Sequence, residues 1–318
     1  DFIEKCEISK NGFININIKK KFLIDQVEHL LNEKNKYGKS NVGSEKNVNV
    51  EFVSANPTGP VTVAHMRGAV LGDVISSLLT NTGHQVTREY YVNNAGSQID
   101  ILGQSLFKRY LELHGEKAEL NNDEYPGEYL IEMAKLIKKK DGDKWRNHEF
   151  SEREDYFKDF AVKYLIEFIE QDLKLLNIKF DKFSFETDIV NSNIINDLFE
   201  ILDKKNLLYN GILEKPKGDD SEDWEPREQL LFKSSSILDD QDRAFKKSNG
   251  EWTYFANDAA YHLDKYNRKF DQLINIWGAD HVGYIPRMKS VLKTISNRDD
   301  YLEIVTCQIV RLIKNNQI

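Results

Sequence analysis

The chain has 318 residues, 40% hydrophobic and 30% charged, with a formal net charge of −8. That length buries one large or two ordinary domains, and that composition excludes extensive disorder. The acidic balance gives no general electrostatic case for nucleic-acid binding, although a local basic groove decides affinity more than the total does.

Residues 12–18 alternate apolar and polar side chains and read as a half-exposed strand; residues 24–31 read as a helix. A Gly/Ser/Lys-rich loop follows, in which Gly38-Lys39-Ser40 matches the tail of a phosphate-binding loop. The glycine which that motif needs further upstream is Glu33, so the match is a chance one. The chain starts without Met, and residues 1–46 are expected to be the end of an N-terminal domain and its linker.

Residues 48–54, with Val48, Val50, Phe52 and Val53, predict a buried strand. Asn56-Pro57-Thr58-Gly59-Pro60 breaks it. From His65 to about Asn81 the apolar positions Ala69, Val70, Val74, Ile75, Leu78 and Leu79 recur at helical spacing. The order is strand, tight turn, helix. Free amides and the positive end of the helix dipole gather over residues 63–66, where Thr62 and His65 add a hydroxyl and an imidazole. Many α/β domains carry such a turn without a ligand, so the pattern leaves both readings open.

Residues 85–92 read as a second parallel strand, 93–96 as its exit turn and 99–113 as a helix. The segment 116–152, dense in Lys, Glu and Asp, reads as a solvated helical insertion. In 156–176 the stripe Phe160, Tyr164, Phe168 and Leu175 predicts a face toward the core. From 206 to 249 short strands alternate with turns at Gly211, Pro216, Gly218 and Pro226. The α/β alternation then resumes: strand 252–255, helix 257–266, strand 272–277, helix 282–295. Cys6 and Cys307 offer neither a disulfide framework nor metal-ligand spacing and suit a reducing compartment. No signal peptide or long apolar run points to a membrane.

A second junction repeats the first. The strand at 273–277 ends in Gly278-Ala279-Asp280-His281, where Gly278 lets backbone approach a ligand and Asp280 can accept both hydroxyls of a ribose. Such a turn alone is more often a plain loop; two strand ends meeting across a sheet crevice make a nucleotide site. Tyr254 and Asp258, on either side of a strand-to-helix step, could face one pocket in which a carboxylate selects a guanidinium fork. Glu51 and Asn56 bracket the first strand end and could hold an α-amino group. Surface or capping roles are open for each of them.

Ser54-Ala55-Asn56-Pro57-Thr58-Gly59-Pro60, followed by Thr62-Val63-Ala64-His65 and Arg67-Gly68-Ala69, resembles the class I signature of arginyl-tRNA synthetases. In that family the tetrapeptide usually reads His-Val-Gly-His; here Thr62 and Ala64 replace the first His and the Gly, and His65 is retained. Tyr254-Phe255-Ala256-Asn257-Asp258-Ala259-Ala260-Tyr261-His262 resembles the family's arginine-binding stretch, and Glu222-Asp223-Trp224-Glu225-Pro226-Arg227-Glu228 its connective segment.

The resemblance implies an α/β fold, a Rossmann-type parallel sheet in two halves, 47–115 and 251–318, separated by a helical and β connective insertion at 116–250. It implies ATP, with Mg2+ accompanying it and no protein-only metal site, held by Pro57, Thr58, Gly59, Thr62, Ala64, His65, Gly278, Asp280 and His281. Catalysis falls to His65 and Thr62, and L-arginine to Glu51, Ser54, Asn56, Tyr254 and Asp258. The partners implied are L-arginine, ATP and tRNA(Arg), and the protein is expected to be a cytoplasmic monomer. The family's Lys-Met-Ser-Lys loop and anticodon-binding domain are expected beyond Ile318, which would leave this chain a catalytic core, weak or inactive alone. Thr62, Ala64 and that loop keep open a non-catalytic nucleotide- or arginine-binding protein, and the fold alone admits another adenylyltransferase.

Overall fold

The computed structural model describes residues 2–147, 149–213, 226–308, 310 and 313. The sequence expectations for Pro216, Gly218 and the string 222–225 lie outside the described residues.

β1 (Ile3–Ile8) and β2 (Ile14–Ile18) pair as an antiparallel hairpin and lead into α1 (Lys20–Glu33). The strand expected at 12–18 is present, but all of β2 is exposed, and α1 buries no residue. The α/β body follows: β3 (Asn47–Glu51), α2 (Val63–Asn81), β4 (Gln85–Val92), α3 (Ser97–Leu113), α4 (Glu128–Asp141), α5 (Glu154–Leu175), β5 (Lys182–Phe185), α6 (Glu186–Asn191) and α7 (Ile194–Lys204). Next come β6 (Leu208–Ile212), β7 (Glu228–Phe232) and β8 (Arg243–Lys246), a small antiparallel sheet. α8 (Tyr254–Asn267), β9 (Gln272–Gly278), α9 (Ile285–Ser296) and β10 (Leu302–Cys307) complete the body.

The main sheet is wholly parallel, in the order β10-β9-β3-β4-β5. The chain leaves β3 in one direction through β4 to β5, then returns to β3's other flank with β9 and β10. β3 and β9 therefore straddle the point where strand order reverses, and in such sheets ligands bind beyond the carboxyl ends of the strands there. Both faces are covered, which is why β3 is buried from Val48 to Glu51. One face packs Val50, Tyr90 and Ile274 against α2 and α5. The other packs Leu273 and Ile304 against α7, α8 and α9, and takes in Phe232 and Phe245 of the small sheet. A third core joins α3, α4 and α5.

Several elements differ from the sequence reading. The strand expected at 48–54 ends at Glu51, because Val53 and Ser54 turn into left-handed conformations at φ 67° and 40°. α2 meets the sheet through its small residues Ala69, Gly72 and Ser76; a Cβ on Gly72 would lie 2.2 Å from the Phe52 ring. This close approach turns Val70, Val74 and Leu78 outward, where Val70 and Val74 line an apolar groove of about 980 Å³ with Leu175 and Leu176.

In α5 the core face is Phe157, Ala161, Leu165, Ile169 and Leu173, so Phe160, Tyr164 and Phe168 flank it and Leu175 is exposed. The charged insertion is not simply solvated: α4 buries Leu130, Met133, Ala134 and Ile137 and leaves its outer face, with Glu128, Glu132, Lys135 and the lysine-rich last turn, to water. The wider insertion expected at 116–250 also holds β5, an edge strand of the main sheet.

The strand expected at 252–255 is the start of a helix, since Thr253 Oγ1 accepts from Ala256 N at 3.2 Å and opens α8 at Tyr254. The last helix begins at Ile285, after a 3-10 stretch from Ala279 to Tyr284, with Pro286 in its first turn.

Candidate active site

The turn after β3 is built from constraints that only local chemistry supplies. Ser54 Oγ donates to Glu51 Oε1 at 3.0 Å and accepts Tyr91 N at 3.1 Å, closing the chain on itself between β3 and β4. A β-branched residue at positive φ, as Val53 is, stores strain of order 1–3 kcal/mol, and such strain persists where surroundings over-determine it.

Beyond the turn, Thr62 caps α2. The Thr62 backbone N–H donates to His65 Nδ1 at 3.0 Å, and the Thr62 hydroxyl lies 3.1 Å from the same nitrogen. A backbone N–H can only donate, so Nδ1 must accept and the proton of the neutral ring sits on Nε2. Burial lowers the His65 pKa further. His65 is thus a neutral imidazole that presents an N–H.

A cleft of about 430 Å³ opens between these junctions. It is lined by Ser54, Asn56, Ala64 and His65 from the first, and by Trp277, Gly278, Asp280 and His281 from the second, with Cys307 and Gln308 from the end of β10. A Cβ on Gly278 would meet Asp280 Oδ1 at 2.3 Å, so glycine is what allows that carboxylate to fold back over the turn.

The cleft unites seven of the residues expected around the substrates: Ser54, Asn56, Ala64, His65, Gly278, Asp280 and His281. It leaves out Pro57, Thr58, Gly59 and Thr62. Pro57 is buried, Thr58 O accepts the Tyr129 hydroxyl at 2.6 Å, and Gly59 packs beside that same ring. Thr62 is committed to the helix cap. Asn56 Nδ2 donates to Gln98 Oε1 at 3.0 Å, tying the turn to α3.

The remaining expected residues gather beside the cleft. Asp258, one helical turn after Tyr254 and half-buried, accepts the Tyr284 hydroxyl. Burial, with Glu51 and Glu186 nearby, outweighs that bond and Lys265 and pushes its carboxyl up to about 7. Burial also raises Glu186, against a hydrogen bond from Asn257, and it raises Tyr91, which faces Glu186, Asp258 and Glu51.

Three carboxylates, from β3, α6 and α8, thus stand near one another with Tyr91 and Tyr284 beside them. Tyr254 stands at the outer side of this cluster, 71% exposed, with its hydroxyl near Gly96. Glu51 is the one carboxylate of the three already bonded to a cation: Lys265 Nζ lies 2.5 Å from its Oε2. Glu186 is a residue that sequence reasoning missed. It sits where the short run Phe183-Ser184-Phe185 meets a helix, at the carboxyl end of a sheet strand, and that position was the available signal.

Under the cluster lies a further carboxylate with the opposite character. Glu89 receives both arms of the Arg268 guanidinium, at 2.9 and 2.8 Å, and bonds from Asn49, Ser184 and Tyr261. Burial alone would raise it, but Lys265, Arg268 and Ser184 overcome burial and hold it down at about 2. Among the described residues no group of three or more His, Cys, Asp or Glu could hold a metal ion, and no helix is long and apolar enough to cross a membrane.

Comparison with known proteins agrees with this geometry. Residues 26–306 match the family of class I tRNA synthetases (R), catalytic domain. The chain is 45% identical over 315 residues to an arginine–tRNA ligase of Ruegeria sp. (strain TM1040), and 43% identical over 318 residues to one of Magnetococcus marinus. Both matches take in 99% of this chain and 54% or 55% of the relative, so the chain spans about half the length of the curated relatives it matches. A crystal structure from Campylobacter jejuni superposes with a TM-score of 0.80 at 33% identity, covering 94% of this chain and 62% of that one. Thermus thermophilus arginyl-tRNA synthetase shares the fold at a TM-score of 0.66 and 17% identity, covering 100% of this chain and 56% of that one. The chain belongs to the class I arginyl-tRNA synthetases, whose catalytic domain it carries.

Proposed function

We propose that the chain is the catalytic core of an enzyme that activates L-arginine with ATP and transfers it to tRNA(Arg). The observation that carries the reading is the cluster of Asp258, Glu186 and Glu51, joined through the Glu51–Ser54 bond to the His65–Asp280 cleft. A guanidinium is a planar fork of five donors, and a site of several carboxylates with tyrosines beside them fits it better than the compact ammonium of lysine.

In the cleft, Asp280 would take the ribose hydroxyls, and the His65 Nε2–H with the first amides of α2 would face the α-phosphate. The arginine carboxylate attacks that phosphorus and pyrophosphate leaves, its phosphates accompanied by Mg2+; the tRNA 3′ end then takes the arginyl group. The protein's part is positioning and the neutralisation of developing charge. A neutral donor at His65 suits this, because it carries no proton to be lost near neutral pH.

Pro57, Thr58 and Gly59 would act by shaping the turn, and Thr62 by orienting His65. Ala64 would stand against the nucleotide where the family's glycine leaves more room. The cytoplasm and a monomeric state belong to this reading as well.

The test is arginine-dependent ATP–pyrophosphate exchange, with and without tRNA(Arg), beside calorimetry with L-arginine, L-lysine and ATP. Selective binding of arginine together with exchange supports the reading. Binding of both ligands without exchange under either condition turns it into a non-catalytic binding protein. No arginine binding at all overturns it.

A further inference from the structure

Lys265 is fully buried, at 0% exposure, on the inner face of α8. Placing an ammonium there is costly unless every donor finds a partner, and a hydrocarbon side chain would pack the same space without that cost. Its Nζ donates to Glu51 Oε2 at 2.5 Å and to Asn275 Oδ1 at 3.2 Å, and lies 4.7 Å from the Tyr261 ring centre.

The bonds continue in both directions. Asn275 Nδ2 donates to His262 Nε2 at 2.9 Å, and His262 Nδ1 donates to the Asp258 carbonyl at 2.8 Å. Each polarity is forced by its neighbour, because the carbonyl can only accept and the ammonium can only donate. On the other side, Glu51 Oε1 accepts from Ser54 Oγ, which itself accepts the Tyr91 amide. One unbroken chain of hydrogen bonds thus runs from the helical turn that carries Asp258 to the left-handed turn that lines the nucleotide cleft.

We infer that Lys265 is a positioning residue that couples the acidic cluster to the nucleotide cleft: its ammonium fixes the Glu51 carboxylate, and Glu51 fixes the strained Ser54 turn. The inference rests on the arginine-and-ATP reading above and adds to it a link between the two substrates. Lys265 itself lines neither the cleft nor its mouth. Without the ammonium, Glu51 loses the partner of one oxygen and no longer holds Ser54 in one place. The positive-φ conformations at 53 and 54 then lose a constraint they depend on.

The experiment compares the full chain with Lys265→Met, with the pair Lys265→Met/Glu51→Leu, and with Arg268→Met as control, by calorimetry with L-arginine and with ATP separately. Hydrogen exchange at residues 53–55 is followed in parallel. Lys265→Met is expected to weaken arginine by about 100-fold, as for a broken buried ion pair, and ATP by roughly tenfold, within the usual range of coupling between sites. Exchange should speed up at 53–55.

If Lys265→Met alone fails to fold, the double variant, which leaves no unpaired buried charge and no acceptor for Ser54, carries the same test. ATP affinity equal to the parent's in a folded Lys265→Met or double variant overturns the inference. So does an equal loss of ATP affinity in Arg268→Met, which would mean general softening. Failure of the arginine reading looks different: the parent chain then binds ATP but not arginine, while the variants still lose ATP.

Discussion

Two carboxylates near the carboxyl ends of the sheet strands, one buried and one half-buried, behave in opposite ways. Glu89 is gripped by a bidentate guanidinium and held at about 2; Asp258 meets only a tyrosine hydroxyl and stands at about 7. Burial pushes both upward. The difference lies in the cations bonded to each: Arg268 lands on Glu89, whereas among the described residues no cation bonds the Asp258 carboxylate. A buried carboxylate with its full set of partners holds the fold together; one raised by burial and neighbouring acids carries a proton that an added cation would displace, as the proposed function requires.

The largest effect should come from breaking the satisfied cluster. Arg268→Met leaves Glu89, whose side chain is 0% exposed, without its fork and should cost about 3 kcal/mol or more of stability, read by urea denaturation. Asp258→Asn should do the reverse. It should raise stability near neutral pH, because the amide removes the cost of holding a carboxyl whose proton the unfolded chain has already lost, and weaken arginine by about 100-fold with ATP affinity kept. Unchanged arginine binding in calorimetry would remove Asp258 from the site.

pH should separate the two carboxylates without any mutation. Asp258 must lose its proton to bind a guanidinium, so arginine affinity should rise about tenfold per pH unit below 7 and level off above it, with a proton released on binding at low pH. The ligand-free protein carries the opposite sign. Folded Asp258 keeps a proton that the unfolded chain loses near 3.8, so this group's contribution favours the fold at low pH and fades as pH rises from about 4 to 7. Glu89 contributes stability above its unfolded value of 4.5 that is lost as pH falls toward 2.

The smallest effect concerns the helix cap. Thr62→Ala should cost about 1 kcal/mol of stability, yet leave His65 in its Nε2–H form, because the backbone N–H holds Nδ1. Nitrogen-15 shifts of the imidazole check this, and a switch of tautomer would show that the hydroxyl, and not the backbone, sets the proton.

The sequence shows some parts of this molecule better than others, for physical reasons. The cleft is made of two local strand-to-helix junctions, and local patterning predicts such junctions: His65, Gly278 and Asp280 all stand where short-range signals put them. The acidic cluster draws on β3, α6 and α8, and no window of sequence contains it. Glu186 gives only a faint local signal because β5 has four residues and follows a long helix. The run Leu302-Glu303-Ile304-Val305-Thr306-Cys307 is short and partly alternating, a weak strand signal, so the contribution of Cys307 and Gln308 to the cleft wall is legible only in the fold. The expected α5 stripe of aromatics differs from the buried face because large aromatic residues also border a core, while Ala161 lies inside it. Thr58 and Gly59 were expected at the phosphates; their contact is Tyr129 on α4, a long-range partner that no turn signature encodes.

The sheet order has a consequence for how the protein comes into being. β3, the middle strand, finds one neighbour soon after it leaves the ribosome, in β4; the other, β9, lies far down the chain, as the bond from Asn47 N to Asp271 Oδ2 across 224 residues shows. At about 5–20 residues per second, that gap lasts roughly 10–45 seconds. Throughout it the apolar strand Val48–Val50 has one unpaired edge, the kind of surface on which nascent chains associate wrongly. The seam between β3 and β9, which borders the cleft, closes late, and only β10 joins the sheet after it.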